Sequence, residues 1–224
     1  GGRRKKGYML LQMKSEGSLD LKTEYLEEIL AHATVYFRTI TDIDEARYLS
    51  YIDDLTELYN PRYLKVSLKR AIKQSAGTNN HFALLFIDLD HFKEVNDTYG
   101  HLVGGQLLCE VAKVLKNSVR NADIVVRYGG DEYVIVLFNT NKQKALTVAE
   151  RIRKNIENHV FLGREGYRIR LTACIGIAVY PDDAKTYKKL IDFADRAMYI
   201  GKEETRNTIH LADDLKQRNR WKKN

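Results

Sequence analysis

The stretch DIVVRYGGDEYVIVLF at Asp123–Phe138 decides the fold. Two runs rich in β-branched residues flank Gly129-Gly130, and paired glycines tolerate the positive φ that a tight two-strand turn demands. The pattern reads as a β-hairpin with Asp131 and Glu132 at its tip. Upstream, FALLFID at Phe82–Asp88 is a continuous apolar run bounded by polar residues, the pattern of a buried central strand. Downstream, Arg168–Tyr180 alternates, with Ile169, Leu171, Ala173, Ile175, Ile177 and Val179 on one face, and Pro181-Asp182-Asp183 ends it.

Helical periodicity fills the gaps. Asn60-Pro61 supplies a cap and a first helical residue, and Leu64, Leu68, Ala71 and Ile72 form the inner stripe of the helix that follows. His91–Lys116 reads as helix with a break around Gly100–Gly105. Two more helices carry Ala145, Val148, Ala149, Ile152 and Ile156, then Leu190, Ile191, Ala194, Ala197 and Met198, and Thr208–Leu211 suits a short edge strand. Strand, helix, hairpin, helix, strand, helix in that order predicts an α+β sheet layered with helices.

Ahead of this block, Leu19–Ile52 is helical in pattern. Leu26, Ile29, Ala33, Tyr36, Ile40 and Ile43 recur at steps of three and four. That spacing fits a coiled-coil seam or the inner face of a single amphipathic helix. GYMLLQMK, at 7–14, reads as one strand without a nearby partner, which points to a segment of a larger protein.

The 224 residues suit one domain plus something extra, at about 150 residues per domain. With 44% apolar and 30% charged residues, wholesale disorder is excluded. The apolar runs are too short to cross a bilayer. Cys109 and Cys174 lack metal-type spacing, which argues against a disulfide scaffold and for a reducing, cytoplasmic setting. The net charge is +7, yet residues 1–6 hold four basic groups and 215–224 hold five. Removing those nine from 37 leaves 28 basic against 30 acidic residues, so the folded part offers no basic excess for nucleic acid.

Acidic residues gather at two places. Asp88 and Asp90 lie two apart at the end of the apolar strand and share a face while the strand continues. If the hairpin pairs beside that strand, Asp131 and Glu132 converge on Asp88. Clustered carboxylates repel, and a divalent cation such as Mg²⁺ is the usual remedy. The expectation is a metal-assisted phosphoryl-transfer site with one or two ions. The plainer alternative makes Asp131-Glu132 a polar turn and Asp90 the cap of the following helix, and for Asp90 the cap is preferred over ligation. Lys93, and Lys202 with Arg206 four residues on, suit a polyphosphate or a solvated surface. Asn96 and His101 suit a base edge or an irregular turn. Arg120 and Asp123 read as a surface pair.

RYGGDEY at Arg127–Tyr133 resembles the signature of the diguanylate cyclase (GGDEF) family. FIDLDHFKEVNDTYGH at Phe86–His101, DDLTELYN at Asp53–Asn60 and ADRAMYIGKEETRN at Ala194–Asn207 resemble three further blocks of that family, in order. The resemblance implies a nucleotidyl-cyclase palm, an antiparallel sheet with flanking helices, at 53–214, after an N-terminal signalling or dimerisation segment at 1–52 and before a basic tail at 215–224. It implies condensation of two GTP into cyclic di-GMP and two pyrophosphates within a homodimer, with no nucleic-acid or membrane partner for this segment. Asp88, the Leu89 carbonyl and Asp131 would hold Mg²⁺, with Mn²⁺ as the alternative. Asp131 would activate the 3′-hydroxyl and Glu132 would support the metal site. Lys93, Lys202 and Arg206 would hold phosphates, Asn96 and His101 would line the guanine pocket, and Arg120 with Asp123 would form the RxxD site where product inhibits. The opening strand and helix also resemble the end of a GAF-type sensor.

Four positions depart from the family pattern. Tyr133 replaces the last Phe of the signature, on a strand with room for a hydroxyl. Glu57 and Pro61 replace a usual Gly and Arg. Gly105 stands where cyclases carry an Asp that accepts hydrogen bonds from guanine. Losing that charge-assisted contact is worth about 1.5–3 kcal/mol and predicts weaker GTP binding and less discrimination against ATP. The alternatives to an active diguanylate cyclase are therefore a non-enzymatic cyclic di-GMP receptor and a cyclase that makes mixed purine dinucleotides.

Overall fold

The FALLFID run becomes the middle strand of a five-stranded sheet because helices cover both of its faces. A computed structural model of the chain describes residues 28–29, 31–36, 38–39, 49–78 and 80–215. Contacts divide the chain into two units, Gly1–Arg47 and Tyr48–Asn224. In chain order the second unit contains α1 (Pro61–Ser75), β1 (Phe82–Leu89), α2 (Phe92–Tyr99), α3 (His101–Asn117), β2 (Ile124–Gly129), β3 (Glu132–Phe138), α4 (Lys142–Asn158), β4 (Ala173–Tyr180), α5 (Tyr187–Glu203) and β5 (Ile209–Leu211). The sheet order is β2-β3-β1-β4-β5. All neighbours are antiparallel except β4 and β5, which run parallel. This is the α+β palm-like arrangement, with helices on both sides of the sheet.

Strand parity builds two core layers. Ala83, Leu85, Ile87 and Leu89 face α3 and α4, packing with Leu107, Val111, Ala149 and Ile152. Phe82, Leu84 and Phe86 face α1 and α5, packing with Leu64, Leu68, Leu190 and Met198. With every residue of β1 buried, the unbroken apolar run has its explanation. Gly176 lets α5 lie directly on β4, since a Cβ there would come within 1.9 Å of the Ala194 carbonyl oxygen. That close approach fixes where the far end of α5 meets the sheet.

The cap of α1 follows the local sequence. Asn60 precedes Pro61, and its side chain accepts hydrogen bonds from the amides of Arg62 at 3.0 Å and Tyr63 at 3.3 Å. The expected break around Gly100–Gly105 narrows to Gly100, and Gly104 and Gly105 lie inside α3. β4 also starts later than the alternation suggests. Ile169 and Leu171 do share a core layer with Ala173, Ile175, Ile177 and Val179. However, Arg168 takes a left-handed φ of 54°, and Ile169 pairs with Phe161 in an isolated bridge.

Within the first unit the described residues are helical. His32 Nδ1 lies 2.8 Å from the Glu28 carbonyl, and the Thr39 hydroxyl donates to the Val35 carbonyl at 2.9 Å. Ile29, Val35 and Tyr36 are exposed. The strand expected at 7–14, the seam positions Leu26, Ile40 and Ile43, and the basic tail beyond Leu215 lie outside the described residues. Among the described residues no helix is long and apolar enough to cross a membrane.

Candidate active site

Parity also decides where the acids go. Asp88 continues the Phe82, Leu84, Phe86 row toward α5, and it pairs across the sheet with Glu132, the first residue of β3. Asp131 occupies the turn just before, and its carbonyl accepts the Leu89 amide at 3.4 Å. From α5, Lys202 reaches Asp88 with Nζ 2.5 Å from Oδ2. The structure therefore brings Asp88, Asp131, Glu132 and Lys202 to one end of the sheet, with Leu89 ending the strand among them.

Their electrostatics are those of crowded carboxylates. Asp88 is only 4% exposed, and its Oδ1 has no hydrogen-bond partner. Burial, reinforced by the charges of Asp131 and Glu132 and opposed by Lys202, pushes its pKa up to about 6. Glu132 is raised by burial and by the charges of Asp195 and Asp131. Lys202 is held above its ordinary value: burial opposes the charge, but the hydrogen bond and charge of Asp88 outweigh it. A buried carboxylate oxygen without a partner, facing two more acids, fits a divalent cation. Among the described residues no set of three His, Cys, Asp or Glu side chains converges on a metal position. A cation here would rely on two carboxylates, a backbone carbonyl and ligands from substrate or water, which is the habit of Mg²⁺.

Asp90 is neither a helix cap nor a fourth acid of this cluster. The residue before α2 is His91, with a left-handed φ of 61° and no side-chain cap bond. Asp90 is 2% exposed and turns toward β4, accepting from the Thr172 hydroxyl at 2.6 Å, the Cys174 thiol at 3.2 Å and the Asn207 amide at 2.9 Å. A buried carboxylate saturated by donors from two other segments has no reason to turn back to its own helix.

The remaining expected residues surround the cluster. Lys93 is exposed in the first turn of α2, and His101 is exposed at the start of α3. Asn96 is half-buried with its carboxamide laid over α3, so a Cβ at Gly104 would sit 1.9 Å from Asn96 Oδ1. At Gly105 a Cβ would meet only Leu55 Cδ1, at 3.8 Å, which is ordinary contact. Arg206 is exposed in the turn after α5. Arg120 and Asp123 sit elsewhere. Asp123 accepts from the Phe138 amide at 3.2 Å, at the opposite end of β3 from Glu132 and roughly 20 Å along the strand. Its other oxygen accepts from the Arg120 amide at 3.1 Å, closing the turn between α3 and β2. Asp123 lines a cleft of about 260 Å³ with Tyr63, Arg70 and Asn121 on one side. With Arg120 and Lys116 it lines another of about 220 Å³.

Sequence reasoning assigned no role to Arg127, Asp53 or Asp195. Arg127 donates to the Gly130 carbonyl from Nε at 3.1 Å and Nη2 at 3.0 Å, and from Nη1 to the Asp53 carboxylate at 3.2 Å. It thus ties the hairpin tip to the segment entering the domain. Burial raises the Asp53 pKa, but hydrogen bonds from Thr56 and Arg127 win and leave it lowered. Asp195 faces Glu132 from α5; its position seven residues before Lys202, two helical turns, was the available signal. Tyr133 is fully buried, with its hydroxyl donating to the Leu108 carbonyl at 3.1 Å, so the room expected for it comes with an acceptor.

Comparison with known proteins gives a consistent result. The model of the family "Diguanylate cyclase, GGDEF domain" matches residues 50–208. The chain is 34% identical over 209 residues to Diguanylate cyclase A of Treponema denticola, covering 92% of this chain and 56% of that protein. It is 36% identical over 196 residues to Diguanylate cyclase DosC of Escherichia coli K12, covering 85% and 42%. The chain thus spans about half the length of these curated relatives. Among solved structures, the GGDEF domain of PA1120 from Pseudomonas aeruginosa superposes with a TM-score of 0.69 at 36% identity, over 72% of this chain and 94% of that one. The coiled coil and GGDEF domain of DgcB from Caulobacter crescentus, solved with c-di-GMP, gives 0.72 at 26% identity, over 83% and 98%.

Proposed function

The chain belongs to the diguanylate cyclase (GGDEF-domain) family, and from that premise we propose that it condenses two GTP into cyclic di-GMP with release of two pyrophosphates. The observation that carries this reading is the meeting of Asp88, Asp131, Glu132 and Lys202 at one sheet end, within the residues that the family model matches. Asp88, the Leu89 carbonyl and Asp131 would hold a divalent ion, Mg²⁺ or Mn²⁺, which when bound neutralises charge on the phosphates. Lys202, released from Asp88, would join Lys93 and Arg206 in holding the triphosphate. Asn96 and His101 would orient the base.

Two copies of the domain, each with one GTP, would face one another. Asp131 accepts the proton of a 3′-hydroxyl, whose oxygen attacks the α-phosphorus of the other nucleotide while the bond to the β-phosphate breaks and pyrophosphate leaves. Repeating the step with roles exchanged closes the ring. No covalent enzyme intermediate is needed; positioning and electrostatics supply the acceleration. Arg120 and Asp123 would bind product at the RxxD turn, a strand's length from the chemistry, so their effect is regulatory. The segment before residue 53 would pair with its twin to bring the two copies together.

Gly105 favours a second reading, a cyclase with relaxed base choice, because the half-buried spot on α3 offers no side chain to a purine edge. One incubation with GTP, ATP and Mg²⁺, resolved by chromatography, tests both. Cyclic di-GMP alone supports the first reading and mixed dinucleotides the second. No dinucleotide, together with tight cyclic di-GMP binding, would replace both with a receptor.

A further inference from the structure

The turn after α5 contains two consecutive left-handed residues, and neither is glycine: Arg206 at φ 54° and Asn207 at φ 50°. Residues with a Cβ resist this conformation, so something must hold them there. Two anchors do. The Asn207 amide donates to buried Asp90 Oδ2 at 2.9 Å. Its side chain is gripped by α4: Oδ1 accepts from Arg153 Nη1 at 2.8 Å and Nδ2 donates to Glu157 Oε1 at 2.7 Å. Arg153 is itself fixed by a two-bond pairing with Glu150, both at 2.9 Å, and by Glu157 at 3.1 Å. The Arg206 amide then returns to the Gly201 carbonyl at 2.9 Å, folding the turn back onto the end of α5 beside Lys202.

We propose that Asn207, clamped between Asp90 and the Arg153–Glu157 pair, is a positioning residue that holds Arg206 beside Lys202 for the γ-phosphate of a bound nucleoside triphosphate. This rests on the reading of Lys202 and Arg206 as phosphate holders. The physical reason is preorganisation. Arginine on a loose turn loses much conformational freedom when it grips an anion, whereas one on a backbone fixed by charge-assisted bonds loses less. The clamp originates on α4, on the opposite face of the sheet from α5, so it is separable from the nucleotide contacts themselves.

The test is the binding of the non-hydrolysable α,β-methylene analogues of GTP and GDP, with Mg²⁺, to the whole chain, together with thermal melting. The wild type should prefer the triphosphate. Arg153→Met should erase about tenfold of that preference through weaker triphosphate binding, with diphosphate affinity unchanged. Arg153→Lys, which can still donate to Asn207, should recover part of it. A role confined to stability would lower the melting temperature of Arg153→Met and leave the preference intact, and that result overturns the proposal. If the wild type itself does not distinguish the two analogues, the phosphate-holding reading falls and takes the clamp with it. A wild type that does distinguish them, with an unchanged Arg153→Met, sinks the clamp alone.

Discussion

Replacing Asp88 with asparagine should stabilise the ligand-free chain while abolishing its activity. The carboxyl is 4% exposed, one oxygen lacks a partner, and Asp131 and Glu132 press on it. Its pKa of about 6, against an ordinary 3.8, already includes the help of Lys202. At about 1.36 kcal/mol per unit, keeping this group ionised at pH 7.5 costs the folded chain at most about 3 kcal/mol. That cost is already net of the Lys202 pairing. Asparagine, standing in for the protonated acid, escapes it less the hydrogen bonding its amide fails to make in the same place, and about 1–2 kcal/mol of net gain is expected. For a chain of this size that is about 2–8 °C in melting temperature. The sign with pH follows from a folded pKa above the unfolded one. The favourable, proton-binding contribution of Asp88 is complete below about pH 4 and lost as pH rises through 6. The advantage of Asp88→Asn should therefore be absent at pH 4, grow between 4 and 6, and level off above. Divalent cation should narrow the gap at pH 7.5 by stabilising the wild type alone. Thermal melts across this pH range, with and without MgCl₂, make the measurement. A variant that melts at or below the wild type at pH 7.5, or a gap that ignores pH, would refute the reasoning.

Three further outcomes are expected. Glu57 holds a left-handed φ of 58°, so Glu57→Gly should stabilise the chain by about 0.5–1 kcal/mol in urea unfolding, and a loss would mean that the Glu57 side chain contributes more than its strain costs. Tyr133→Phe removes the buried donor to Leu108 and should lower stability by about 1 kcal/mol; an unchanged urea midpoint would show that bond to be worthless. Gly105→Asp meets only Leu55 at 3.8 Å, so it should fold normally and sharpen the preference for GTP over ATP by about tenfold in competition assays, which equal use of both nucleotides would contradict.

The hairpin, the central strand and the Asn60 cap were legible because each is a local decision. Gly129-Gly130 between β-branched runs, an eight-residue apolar strand and Asn60 before Pro61 depend on neighbours within a few positions. The convergence of Asp88 with Asp131 and Glu132 was legible at one remove, given the single assumption that β3 pairs beside β1, and the register Asp88 to Glu132 supplies it. The start of β4 was not legible, because the left-handed turn at Arg168 leaves the hydrophobic alternation undisturbed.

What the chain encodes locally, then, is which residues are acid, basic, capping or turning, and which face of each element is apolar. Only tertiary structure decided what those residues touch. Asp90 stands just ahead of α2 and reads locally as its cap, but β4 and the turn after α5 bring it donors from residues more than eighty positions away. Arg127 reads as one charge beside a hairpin, and becomes a tie between the tip and Asp53 only when the entering segment pairs alongside β2 at Tyr59. Pattern reports burial because burial is averaged over a whole face. A hydrogen-bond partner is a single atom at a single place, and that place exists only once the sheet has closed and α5 has settled on Gly176.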